Sequence, residues 1–168
     1  MHVYRLAAGF ALPTMVVFGS AAAELPEAIA AKGETVVLQV QAQGAQIYEC
    51  RAATQASGQS TWQFREPVAS LFREGKTVGR HYTGPTWEIG DSIVTGKVSA
   101  RADAPDGKDI PWLKLDVANP ADDGPLQDVT TVQRINTVGG VLEGSCDKVG
   151  ELRAEPYAAD YVFLKKPQ

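Results

Sequence analysis

Histidine and cysteine are scarce in this chain: 168 residues hold two of each. Protein metal centres gather three or four imidazole, thiolate or carboxylate ligands, so a chain this poor in the first two is not expected to hold a metal. Clustered basic charge is also missing. The longest basic run is Lys165-Lys166, and the 16 lysines and arginines are outnumbered by 20 acidic residues. Phosphate backbones and anionic membrane surfaces need clustered cations, so neither is an expected partner. There is no G-x-S-x-G nucleophile elbow, no EF-hand spacing, no internal repeat, and past residue 23 no apolar run of membrane-spanning length.

What is present begins with a leader. Met1-His2-Val3-Tyr4-Arg5 carries one full positive charge, Leu6 to Phe18 is apolar, and Gly19-Ser20-Ala21-Ala22-Ala23 is small throughout. That order is the layout of a secretory signal peptide, with an A-x-A pattern for cleavage after Ala23. Gly9 and Pro13 interrupt the run and argue against a retained anchor, and no cysteine near the cut offers a lipid attachment. The expectation is an exported protein, periplasmic or extracellular, with residues 1–23 removed, residues 24–168 forming one β domain, and no span left after cleavage. In an oxidising compartment Cys50 and Cys146 pair. The bridge closes most of the domain and contributes on the order of 4–5 kcal/mol in the chain-entropy picture.

Leu25 to Lys32 reads as a short helix, with Pro26 in its first turn and Gly33 as its stop, too short to matter for the core. From Val36 the period becomes two. Leu38, Val40 and Ala42 alternate with glutamines, Gly44 is read as a turn, and Tyr48 and Cys50 share a face of the returning strand. Trp62-Gln63-Phe64 is a short strand. Val68 to Tyr82 fits either a helical stripe or a hairpin turning at Glu74-Gly75, and flanking strands favour the hairpin. A second hairpin turns at Gly90-Asp91. Ile110–Val117 points Leu113, Leu115 and Val117 inward. Val129–Val138 is rich in β-branched residues, and Tyr157, Ala159, Tyr161 and Phe163 line one face of a last strand. The fold class is all-β: an antiparallel sandwich or barrel with one disulfide.

Several of these segments together resemble the DUF3455 family. They are Gln41 to Cys50, Trp62-Gln63-Phe64, Val78 to Glu88, Ile110-Pro111-Trp112-Leu113, Val132 to Gly140, Cys146, and Tyr157 to Tyr161. The H-Y-x-G-P-x-W-E string from His81 to Glu88 is the most specific. Gly90-Asp91-Ser92 departs by lacking a glycine expected before the serine. The resemblance covers about residues 36–164 and implies a secreted single domain. It implies no activity.

The densest run of functional side chains is His81 to Glu88. His81 is the one imidazole remaining after cleavage, and imidazole is the natural proton carrier near neutral pH. A bend at Gly84-Pro85 would bring Glu88 to it, the half-site of a hydrolase or lyase, although no nucleophile is in sight. Tyr82, Trp87 and Trp112 form a candidate surface for flat apolar or saccharide ligands, with Trp112 expected to face outward, or else they belong to the core. Arg134, mid-strand and against the outward pattern expected there, is a candidate clamp for a carboxylate on a ligand or on Glu88, or else one half of an internal salt bridge. Asp103, Asp106 and Asp109 and the later Asp122, Asp123 and Asp128 read as turn chemistry ahead of calcium ligation. The leading expectation is a non-catalytic envelope or secreted protein binding a small molecule or saccharide, without a cofactor. The alternatives are an enzyme using His81 and Glu88, and a protein-interaction or inhibitor module.

Overall fold

The structure, a computed structural model, describes residues 25–53 and 58–167, so the expected signal peptide lies outside the described residues. Eight strands follow one another: β1 Thr35–Arg51, β2 Thr61–Arg73, β3 Lys76–Tyr82, β4 Thr86–Ile89, β5 Ser92–Ala102, β6 Trp112–Asn119, β7 Thr131–Gly139 and β8 Leu152–Lys165. Each pairs antiparallel with the next, and β8 pairs back onto β1, closing an up-and-down barrel. Of the two expected architectures, the barrel is the one formed. Every strand therefore has a neighbour on both sides, although the short β3–β4 hairpin pairs β2 only from Ala69 onward and β5 only as far as Thr95.

The period-two pattern sets the inside of the barrel. Along β1 the even positions from Leu38 to Ala42 face in; along β8 Tyr157, Ala159, Tyr161 and Phe163 do the same, and all are buried. Trp87, Ile89, Val94, Leu113 and Leu115 from β4, β5 and β6 complete the packed interior. The hairpin turns at Glu74-Gly75 and Gly90-Asp91 form as expected. Glu74 and Gly75 adopt φ of 51° and 74°, and Gly90 61°.

Two expectations need correction. Gly44 is not a turn: β1 runs straight through it for 17 residues, pairing Gly44 with Ala69 on one side and Tyr157 on the other. The glycine is needed for space, since a Cβ there would lie 2.0 Å from the Val68 carbonyl oxygen. The N-terminal segment is also not irrelevant to packing. It forms only a 3-10 turn, Glu27–Ile29, yet Ile29 is fully buried against Trp112 and Ala104 on the outer wall of the barrel.

The two ends of the barrel differ. At one end the β6–β7 connection folds underneath, and its 3-10 turn Gly124–Leu126 inserts Leu126 into the core. At the other end the β7–β8 connection is pinned by the Cys50–Cys146 disulfide, whose Cα atoms are 5.8 Å apart. Backbone hydrogen bonds from Cys146 to Ser60, Trp62 to Gly144 and Gly150 to Cys50 fasten the same loop. Among the described residues no helix is long and apolar enough to cross a membrane.

Candidate functional site: a cavity at the disulfide end

The packed core stops short of the disulfide end and leaves a cavity of about 550 Å³. That lies within the roughly 300–1,000 Å³ usual for small-ligand sites. Leu113, Leu115 and Val98 supply an aliphatic wall, Tyr48, Phe64 and Tyr161 an aromatic one, and Trp87 and His81 the floor. Thr83, Gly84 and Pro85, the β3–β4 turn, lie at the rim.

His81 is held rigidly. Its ring stacks on Trp87 with centroids 4.7 Å apart and planes 12° apart, and Tyr161 leans against it at 4.9 Å. Nδ1 lies 2.8 Å from the Thr86 carbonyl oxygen. A carbonyl only accepts, so Nδ1 carries the proton and Nε2 is left as the acceptor. Burial disfavours the imidazolium, and despite the Thr86 bond, which favours it, and with the nearby Arg134 charge opposing it, the pKa falls to about 3. At neutral pH His81 is an uncharged ring in an aromatic stack.

The expected partnership of His81 with Glu88 does not form. In the β3–β4 ladder His81 pairs with Trp87 and Arg80 pairs with Glu88. Neighbours along a strand point to opposite faces, so His81 faces the interior and Glu88 the exterior. There Glu88 receives bonds from Arg80 at 2.8 and 3.0 Å and from the Tyr82 hydroxyl at 3.3 Å. The Arg80 bonds hold its carboxyl below the usual range. Tyr82 sits under the Arg80 guanidinium, 5.1 Å from its ring, outside the cavity.

Of the four residues expected to hold a ligand, the structure brings Trp87 and Arg134 to the cavity and places Tyr82 and Trp112 elsewhere. Trp112 does face away from the barrel interior, but the N-terminal segment covers it, so its ring presents no open surface. Trp87 is covered by His81 on a face and met by Tyr161 and Phe163 edge to face. Neither tryptophan offers the free face on which a sugar ring stacks.

Arg134 enters from β7, on the inward side of the ladder opposite Leu113 and Tyr161. Its Nε and Nη2 donate to the Pro111 carbonyl at 3.2 and 2.8 Å, which fixes the guanidinium at the cavity wall. No ion pair involves it among the described residues.

Other lining residues were not singled out by the sequence reading: Gln46, Tyr48, Arg101 and Tyr161. Gln46 carried a signal, being a polar residue on the even-numbered apolar stripe of β1, and it is buried. The Tyr48 hydroxyl donates to the Gly140 carbonyl at 2.7 Å. Arg101 gave no signal, because it follows the register shift between Val98 and Ala100 that resets the strand's alternation. Of the aspartates weighed for calcium, Asp106 accepts the Lys108 N–H at 3.0 Å, and Asp109 accepts the Gly139 N–H. Among the described residues no three histidine, cysteine, aspartate or glutamate side chains converge as metal ligands.

The family described as "Protein of unknown function (DUF3455)" matches residues 30–165. The match covers most of the chain, and the chain belongs to that family. Comparison with curated proteins and with solved structures finds no match.

Proposed function

We propose that this DUF3455 member binds a small, largely apolar ligand inside its barrel without catalysing a reaction on it. The observation that supports this is the cavity itself: about 550 Å³, walled by aliphatic and aromatic side chains, with a fixed guanidinium on its wall. A mostly apolar pocket with few placed polar groups is the usual form of a small-molecule site. Catalysis has less support. His81 is far too weak a base near neutral pH to drive proton transfer, its carboxylate candidate is on the other face of the sheet, and both cysteines are joined. A saccharide is also less suited than an apolar body, because the tryptophan faces are covered.

In this reading the protein works outside the cytosol, in the periplasm or the extracellular space. A structural disulfide suits an oxidising compartment, and residues 1–23 have the layout of an export signal.

The test is an NMR titration with a fragment library of aromatic and aliphatic compounds. Shifts should appear at Leu113, Leu115 and Arg134, and Val98→Trp, which places an indole at the half-open wall, should abolish them. Shifts confined to the outer surface, or a response unaltered by Val98→Trp, would overturn the proposal.

A further inference from the structure

The charge at the cavity is one-sided. Among the described residues three arginines line it, Arg65, Arg101 and Arg134, and no aspartate or glutamate does. Of these, among the described residues, only Arg65 has an acidic partner, its chain neighbour Glu66 at 3.2 Å. Arg101 stands exposed at the rim, and Arg134 is half-buried further in. A guanidinium has five N–H donors and no acceptor. The Pro111 carbonyl takes up Nε and Nη2 of Arg134 and leaves Nη1 without a bond among the described residues.

Other polar atoms of the cavity lining have the same sense. The Trp87 indole nitrogen and the Gln46 amide nitrogen belong to lining residues, are buried, and have no hydrogen-bond partner among the described residues. Each of them can donate. The Tyr161 phenol, beside Tyr157 and Arg134, is raised above its ordinary pKa by burial and keeps its proton. Buried donors without partners and a cation without a counter-ion each cost free energy. A group with several acceptor lone pairs and a negative charge is the kind of occupant that such a lining suits.

We infer that the ligand is an apolar carboxylate, its anionic end at Arg134 and its hydrocarbon or aromatic body against Leu113, Leu115, Val98 and Phe64. This rests on the proposed binding function and deepens it. A carboxylate matches the planar fork of a guanidinium. The half-buried position of Arg134 excludes much of the water that would screen the pair at an open surface. The exposed Arg101 and Arg65 at the mouth would raise the local concentration of anions and speed entry, an effect that salt suppresses. The aliphatic wall sets the other half of the requirement, because a small hydrated anion would leave it uncovered.

The experiment compares size-matched pairs on the whole protein with its disulfide intact: 1-naphthoate against 1-naphthamide, and octanoate against octan-1-ol, by calorimetry and NMR at low salt. Each carboxylate should bind at least tenfold tighter than its neutral partner, with the preference shrinking in 0.5 M salt. Arg134→Met should erase most of the preference, Arg134→Lys should keep part of it, and Arg101→Gln should slow association. Equal affinity within the pairs would overturn the carboxylate assignment and leave the binding function standing. No cavity shift with any of the four would overturn both. The wild-type comparison decides the matter even if Arg134→Met does not fold.

Discussion

His81 lies flat against Trp87, 4.7 Å from ring centre to ring centre, in a cross-strand pair of the β3–β4 ladder. Burial of the ring there disfavours the imidazolium, and that ties stability to pH. The native pKa, about 3, is below the ordinary 6.5, chiefly through burial. Between those values the unfolded chain takes up a proton that the native chain refuses, so protonation draws the equilibrium toward unfolding as pH falls. Stability from this group is highest above pH 6.5 and drops by about 1.4 kcal/mol per pH unit inside the window. Carboxylates add their own slopes, so the measurement is a difference: urea unfolding of wild type and His81→Gln at pH 6, 5 and 4. The wild-type curve should fall more steeply by close to one proton. Parallel curves, or a His81 ring resonance titrating near pH 6, would show that the ring charges freely in the native state.

Gly44 makes a second prediction. A Cβ there would meet the Val68 oxygen at 2.0 Å and the Ala69 Cα at 2.5 Å, both backbone atoms of β2. A flexible side chain could move aside, but backbone held in the β1–β2 ladder cannot. Gly44→Ala should cost at least the 1–3 kcal/mol typical of overpacking, read as a lower urea midpoint with unchanged slope. A midpoint within error of wild type would mean β1 and β2 are farther apart here than described.

The disulfide secures the β7–β8 loop more than the closure of the barrel. Closure is carried by the β1–β8 ladder, 14 residue pairs from Thr35–Lys165 to Glu49–Leu152, while Cys146 lies outside the strands, on the β7–β8 loop. Cys50→Ser with Cys146→Ser should lower stability by about 2–5 kcal/mol. In native-state hydrogen exchange the amides of Cys146 (then Ser), Trp62 and Gly150, whose bonds fasten the β7–β8 loop, should speed up first, and Val162 and Phe163 last. Uniform acceleration would place the disulfide's effect on the whole barrel.

How much of this was legible in the sequence depended on the range of the interaction. The alternation of Leu38, Val40 and Ala42 and of Tyr157, Ala159, Tyr161 and Phe163 is a local consequence of strand geometry, and it gave the inner face of β1 and β8 correctly. The turns at Glu74-Gly75 and Gly90-Asp91 were equally local. Gly44 misled because the same residue type serves turns and close strand packing, and only the neighbouring strand distinguishes them. His81 and Glu88 misled because the β3–β4 register, rather than the bend itself, decides which side chains meet. The cavity was the least legible feature. Arg134 stood out as a misfit on its strand, but its relation to Arg101, Tyr48 and Gln46 is set by pairings between residues dozens of positions apart.

Trp112 offers a final prediction, because it separates the outer wall from the cavity. It faces away from the barrel interior, on the strand that also carries the cavity residues Leu113 and Leu115, and is only 3 % exposed because Ile29 packs over it. The N-terminal segment is further tied by Gln133, whose amide donates to the Ile29 carbonyl at 2.7 Å. Ile29→Ala removes the apolar half of this cover and should cost about 2–4 kcal/mol, in the range for a large-to-small change at a fully buried site. Gln133→Ala leaves a buried carbonyl unpaired and should cost about 1–3 kcal/mol. Both substitutions should shift Trp112 emission to the red, measured with Trp62 and Trp87 replaced by phenylalanine so that the signal has one source. Neither should alter ligand affinity at the cavity, since the sheet lies between the two surfaces. Loss of binding in Ile29→Ala at a temperature where the barrel is still folded would show that the N-terminal segment and the cavity are coupled through β6.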